Sequence, residues 1–392
     1  MRPESVAWER AAEVHEAADG WRRAGAIDEA TKRAVGDAYP DPCITPSAVW
    51  RVLTSCVIAV VIFCVFGAFE AAFRPDASGH QVLLFLLAAA SMVATEVLEA
   101  SPRFSRRGAA GTTSFLGVVC LLVGFGLFLS ETVHMRLDDV LNGMLTAGFV
   151  AWAAACWRWG SPVFAVLSAA SLFVFLGRVA NGRLLWVLVG AALAALAARR
   201  LDEPAWAPSH RRSAAVLVVA GVAAVYAAAN IYSLDQYLIE DLGRFHPSRM
   251  VSWRAIRLLL TLATAVLPLA VLAWGLRSRR AFLIDTGIVL AALSLVTLRH
   301  YVHLAPLWVV LTLSGAALVA LALACERALR RAPGGEIAGF TAEPLFSDER
   351  RQHVLQMVPV VAVFTAAPGQ ASGEKGIGGG GRFGGGGADE KF

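Results

Sequence analysis

The chain has 392 residues, 57% of them hydrophobic and 17% charged, and its mean hydropathy of +0.59 is too high for a water-soluble domain. The net charge of +5 does not point to nucleic acid, because the arginines cluster in short segments between apolar spans, where membrane insertion accounts for them. What remains is an all-α, polytopic bundle of about ten transmembrane helices whose first partner is the lipid bilayer.

Residues 1–48 read as a soluble helical hairpin. Val6, Trp8, Ala11, Ala12 and Val14 recur among charges, and Asp28 is placed to N-cap a second helix running to Tyr39. Gly20 and Gly25 punctuate the pair, and Pro40-Asp41-Pro42 stops it. Such a hairpin lies on the membrane surface or docks a cytoplasmic protein partner.

Residues 49–326 form the expected bundle. Ten apolar spans lie near 52–72, 81–100, 110–130, 140–159, 162–178, 184–198, 213–232, 255–276, 281–298 and 304–325; a hydrocarbon core of about 30 Å takes roughly 20 apolar residues per helix. The fifth and sixth are short. The first begins near Val52 behind a charged segment too long for a signal-peptide n-region, so it is expected to remain as a helix. Ala169-Ala170-Ser171-Leu172, Arg178, Trp186-Val187 and Gly190-Ala191-Ala192-Leu193 recur as Ala292-Leu293-Ser294-Leu295, Arg299, Trp308-Val309 and Gly315-Ala316-Ala317-Leu318. This suggests a parallel four-helix repeat, 110–200 and 213–326, related by an axis along the membrane normal. Gly190, Ala194, Ala220, Gly221, Gly315 and Ala316 suit close helix packing.

Cytoplasmic loops are enriched in arginine, which sets the orientation. With the N-terminus inside, Arg103, Arg106, Arg107, Arg158, Arg199, Arg200, Arg211, Arg212, Arg277, Arg279 and Arg280 face the cytoplasm, and both termini lie there.

Residues 327–372 leave the membrane through Pro333-Gly334-Gly335, with a capped helix expected at Ser347 and a surface segment at 354–367. The glycine-rich stretch 373–392 lacks apolar area to offset chain entropy and is expected to be disordered.

The hairpin bearing Trp21, Gly25, Ile27 and Asp28 ahead of a many-helix bundle resembles a bacterial family of membrane proteins known only as a domain of unknown function. The stretch Gly378 to Ala388 is similar to glycine-rich ends of assorted bacterial membrane proteins. The resemblance implies a bacterial inner-membrane protein and brings no catalytic residue.

Ionisable residues at mid-bilayer depth usually mark ion paths. Glu70, Glu96, Glu99 and Asp285 instead fall near span ends, the last three within reach of interfacial arginines such as Arg103, Arg107 or Arg280. Asp285 has no second intramembrane Asp, there is no His-Glu-x-x-His or P-loop, and no Cys-x-x-Cys occurs among the six cysteines. Enzyme activity is disfavoured. On this topology His80, His134, His246, His300 and His303 share the outer side. His300 and His303, at i and i+3, have ligand spacing for a divalent metal if His134 or a carboxylate such as Glu131 joins them; the other reading is histidines capping helix ends. The leading function is a non-catalytic scaffold or sensor whose soluble ends meet cytoplasmic partners. The alternative is a permease for an apolar or uncharged solute, which a continuous polar cavity between the two sets of helices would favour.

Overall fold

The computed structural model describes residues 3–23, 26–41, 43, 48–73, 77–101, 109–179, 182–201, 203, 205–230, 250–302, 307–331, 336–337 and 340–341, with backbone only for 3, 48, 77, 250–257, 299–302, 336–337, 340–341 and about half of 307–331. Two compact units divide at 304/305. The first contains α1 (Pro3–Arg23), α2 (Glu29–Ala38), α3 (Ala48–Phe73), α4 (Ala77–Glu99), α5 (Ala109–Leu127), α6 (Leu137–Trp159), α7 (Pro162–Arg178), α8 (Gly182–Leu201), α9 (Pro208–Ala229), α10 (Met250–Ser278) and α11 (Ala281–Val302). The second contains α12 (Leu307–Arg331) and a two-residue antiparallel ladder pairing Glu336 with Thr341 and Ile337 with Phe340.

Among the described residues eight helices are long and apolar enough to cross a membrane, so the protein is a multi-pass, all-α membrane protein. Ten helices, α3 to α12, fall at the positions of the expected spans, and eight of them, all but α7 and α12, have the length and apolarity of a membrane crossing among the described residues. The sixth span is fuller than expected, because α8 runs 20 residues. The fifth, α7, has 17 residues, about 26 Å at 1.5 Å per residue, which falls short of the roughly 30 Å core. Asp28 does cap α2: its Oδ1 accepts from Thr31 N at 2.8 Å. The third span is not α-helical throughout. A π-helical turn, Phe128–Thr132, ends it, and buried Gln81 of α4 closes that turn by donating to Leu127 O (3.3 Å) and accepting from Thr132 Oγ1 (3.1 Å).

The spanning helices pair as hairpins: α4 with α5, α6 with α7, α8 with α9, and α10 with α11 pack most extensively. Each hairpin is closed by a connection at or beside the arginines, at 102–108, 160–161, 202–207 and 279–280, whereas the connections at the opposite end join helices that touch less. Small residues permit this closeness. A Cβ on Gly190 would sit 2.8 Å from Gly221 O, so the α8 and α9 backbones nearly touch.

One buried cluster gathers Val218, Val222 and Tyr226 of α9 with Val271 of α10 and Leu283 and Leu290 of α11; a second stacks Trp152 on Phe164 beside Val118. Inside α10, Pro268 has no N–H for the carbonyl of Thr264, four residues earlier. Ser294 of α11 donates its hydroxyl there at 2.6 Å, and Tyr226 of α9 bonds Ser294 at 2.9 Å. Three helices thus meet on one freed backbone group, as lipid, which offers no hydrogen bonds, requires.

Candidate functional site: a groove at the arginine-rich end

The α6–α7 turn starts the site. Gly160 ends α6 at φ +70°, its N–H bonded to Cys156 O at 2.7 Å, and Pro162 opens α7 two residues later. A Cβ at Gly160 would lie 2.5 Å from Ser209 Oγ, so the turn favours glycine on both conformation and space. The first turns of α9 clamp it: Ser213 Oγ donates to Gly160 O (2.8 Å) and His210 Nε2 meets Trp157 O at 2.9 Å. A carbonyl only accepts, so Nε2 carries the proton.

Beside this turn, between α6, α7, α8 and α9, runs a groove of about 370 Å³. Its floor is made of small buried residues, Ala165, Ser168, Ala197, Ser213 and Ala214. The hydroxyls there bond backbone carbonyls, Ser168 to Phe149 O (3.3 Å) and Ser213 to Gly160 O, which leaves a hydrocarbon surface. Its lips are open to the outside of the bundle, with Trp157 71% and Leu196 60% exposed. Trp157, Trp206 and His210 pack edge to face at the mouth, and the Arg200 guanidinium lies 5.3 Å from the Trp206 ring centroid. Arg200 also pairs with Glu203 at 2.7 Å.

The N-terminal helix docks at this same end. Glu13 pairs with Arg211 at 2.7 Å, Arg10 donates to Ala205 O at 3.2 Å, and Glu9 accepts from the backbone N–H of Ser209 at 3.1 Å. Ala207, at the N-cap of α9, supplies no side-chain acceptor; Glu9 fills that role from another helix and faces the positive end of the α9 dipole. Residues 205–211 therefore turn Ala205, Ser209 and Arg211 to α1, and Trp206 and His210 to the groove. Nearby, Glu96 of α4 accepts from Arg158 at 2.5 Å and from Trp159 Nε1 at 3.2 Å. The sequence pointed Glu96 to Arg103, Arg107 or Arg280; Arg103 and Arg107 lie outside the described residues, and the ion pair seen for Glu96 is with Arg158 at the end of α6.

Of the histidines expected to hold a metal, His134 is exposed, at φ +56° in the bend between the π-helical turn and α6. His300 contributes its backbone to α11 while its side chain, and all of His303, lie outside the described residues. Among the described residues no three His, Cys, Asp or Glu gather closely enough for a metal. At the arginine-poor end His80 bonds Glu70 at 3.0 Å, and Arg178 bonds Asn142 (2.7 Å) and Asp138 (3.0 Å). The segments expected to form a helix at Ser347, a surface run at 354–367 and a disordered stretch at 373–392 also lie outside the described residues.

Reading the sequence for buried charge and outer histidines missed the groove. Its available signal was Trp206 and His210 at i, i+4 spacing, six residues after the paired Arg199-Arg200, with Trp157 and Trp159 flanking Arg158 at another helix end. No family model, curated protein or solved structure matches the chain.

Proposed function

We propose that the chain is a non-catalytic sensor or scaffold of the cytoplasmic membrane, with the arginine-rich end and the N-terminal hairpin on the cytoplasmic side. The observation that carries this reading is the double role of residues 205–211, which hold α1 through Ala205, Ser209 and Arg211 and line the groove with Trp206 and His210. A change in the groove then reaches α1 through one turn of helix, and α1 with α2 offers a partner a surface set by the state of the bundle. The basic hairpin tips support the orientation.

The test uses the full chain in lipid nanodiscs, reading protease cleavage within residues 1–41 across lipid compositions. A sensor predicts a rate that varies with composition, and no variation once Glu13→Cys and Arg211→Cys are joined by a bifunctional thiol cross-linker. An invariant rate, together with solute uptake into protein-containing liposomes, would overturn the reading in favour of a permease. Orientation is checked separately by labelling single cysteines: Ser209→Cys and Ser278→Cys should resist impermeant reagent applied from outside, and Ser248→Cys should react.

A further inference from the structure

We infer that the groove between α6, α7, α8 and α9 binds one membrane amphiphile, its acyl chain on the alanine and serine floor and its anionic head at Arg200. It rests on the sensor reading only in sharing residues 205–211.

Three observations select this occupant. The floor presents no free polar group, since the hydroxyls of Ser168 and Ser213 are committed to backbone carbonyls, so whatever fills it must be hydrocarbon. The lips at Trp157 and Leu196 are exposed on the side of spanning helices rather than toward a central path, and the molecule that fills such an opening in a bilayer is lipid. The mouth carries a cation: Arg200 lines the groove, with Arg199 exposed next to it in sequence, against Glu203. Arg200 uses one guanidinium nitrogen on Glu203 and its face on Trp206, which leaves N–H donors in the planar fork that suits a phosphate. Trp157 and Trp206 stand at or beside helix ends, and indoles prefer the headgroup boundary.

The experiment measures lipid retained by the purified full-length protein in native mass spectrometry, after exchange into equal mole fractions of phosphatidylglycerol and phosphatidylcholine. The parent should retain one phosphatidylglycerol in preference to phosphatidylcholine. Arg200→Gln, an exposed change that spares the fold, should lower that preference by about fivefold, the effect of one basic residue on an anionic lipid. Ala153→Phe, which projects into the groove from α6, should abolish retention of both lipids, and Ala153→Ser should restore it. Equal retention of the two lipids by the parent would overturn the anionic head, and unchanged retention in Ala153→Phe would overturn the groove as the site. Displacement of the lipid by millimolar inorganic phosphate would overturn the acyl contribution. Retained lipid is counted without reference to α1, so an unresponsive α1 with intact lipid binding would sink the sensor reading alone.

Discussion

The hydroxyl of Ser294 gives the carbonyl of Thr264 the hydrogen bond that Pro268 withholds, at 2.6 Å between neighbouring helices. Removing it by Ser294→Ala leaves a buried carbonyl without that donor, and we expect a cost of about 1 kcal/mol, the scale of an interhelical hydrogen bond in a bilayer. Pro268→Ala restores the N–H within α10, so Ser294→Ala should cost less in that background. Unfolding equilibria of the four variants in bicelles measure this coupling; equal costs in both backgrounds would refute the account.

The α8–α9 crossing has no room for a side chain. A Cβ at Gly221 would lie 2.5 Å from Gly190 O and 2.9 Å from Ala194 N, whereas one at Gly67 meets nothing within 4 Å. Gly221→Val should therefore destabilise by about 1–3 kcal/mol or prevent folding, and Gly67→Val should leave the melting temperature in detergent unchanged. Comparable losses in the two would show that membrane insertion, not the crossing, is being measured.

The hairpin of α1 and α2 should loosen in acid. Lys32 lies 2.6 Å from Asp19, and its hydrogen bond holds the Asp19 carboxyl below its ordinary value of 3.8. Because the folded value is the lower one, the stabilisation is full above about pH 4 and fades as pH falls through the folded value. Both side chains are partly exposed, so the effect is at most about 1 kcal/mol. Hydrogen exchange of residues 3–38, corrected for intrinsic rates, should show this acid response in the parent and not in Asp19→Asn.

Metal binding by His300 and His303 with His134 requires neutral imidazoles, so any zinc-induced rise in melting temperature must be smaller in acid than at neutral pH. The expected rise reflects about 2.7 kcal/mol at a hundredfold excess over Kd. Thermal unfolding with zinc and with chelator checks it, and an equal rise in His300→Ala with His303→Ala would remove the site.

The helices and the Asp28 cap were legible in the sequence, because length, apolar content and a local Asp–Thr spacing decide them. The packing was less so. In lipid a leucine facing a neighbouring helix and one facing a chain of methylenes look alike, so apolar periodicity does not say which face of α6 or α8 is inside. Partners such as Glu96 and Arg158, 62 residues apart, depend on which helices adjoin. The groove was hidden for the same reason, since Ala165, Ala197 and Ala214 become a floor only when three helices meet. The π-helical turn at Phe128 is fixed by Gln81, 51 residues from Thr132, which no local window contains.

The docking of α1 has a consequence in time. Glu13 and its partner Arg211 are separated by 198 positions, so at 5–20 residues per second the ribosome needs roughly 10–40 s between making one and making the other. Through that interval Glu9, Arg10 and Glu13 are displayed without the surface that later receives them. Any molecule that engages α1 would do so on the nascent chain without competing with the α9 turn, and would compete with it once synthesis has passed Arg211.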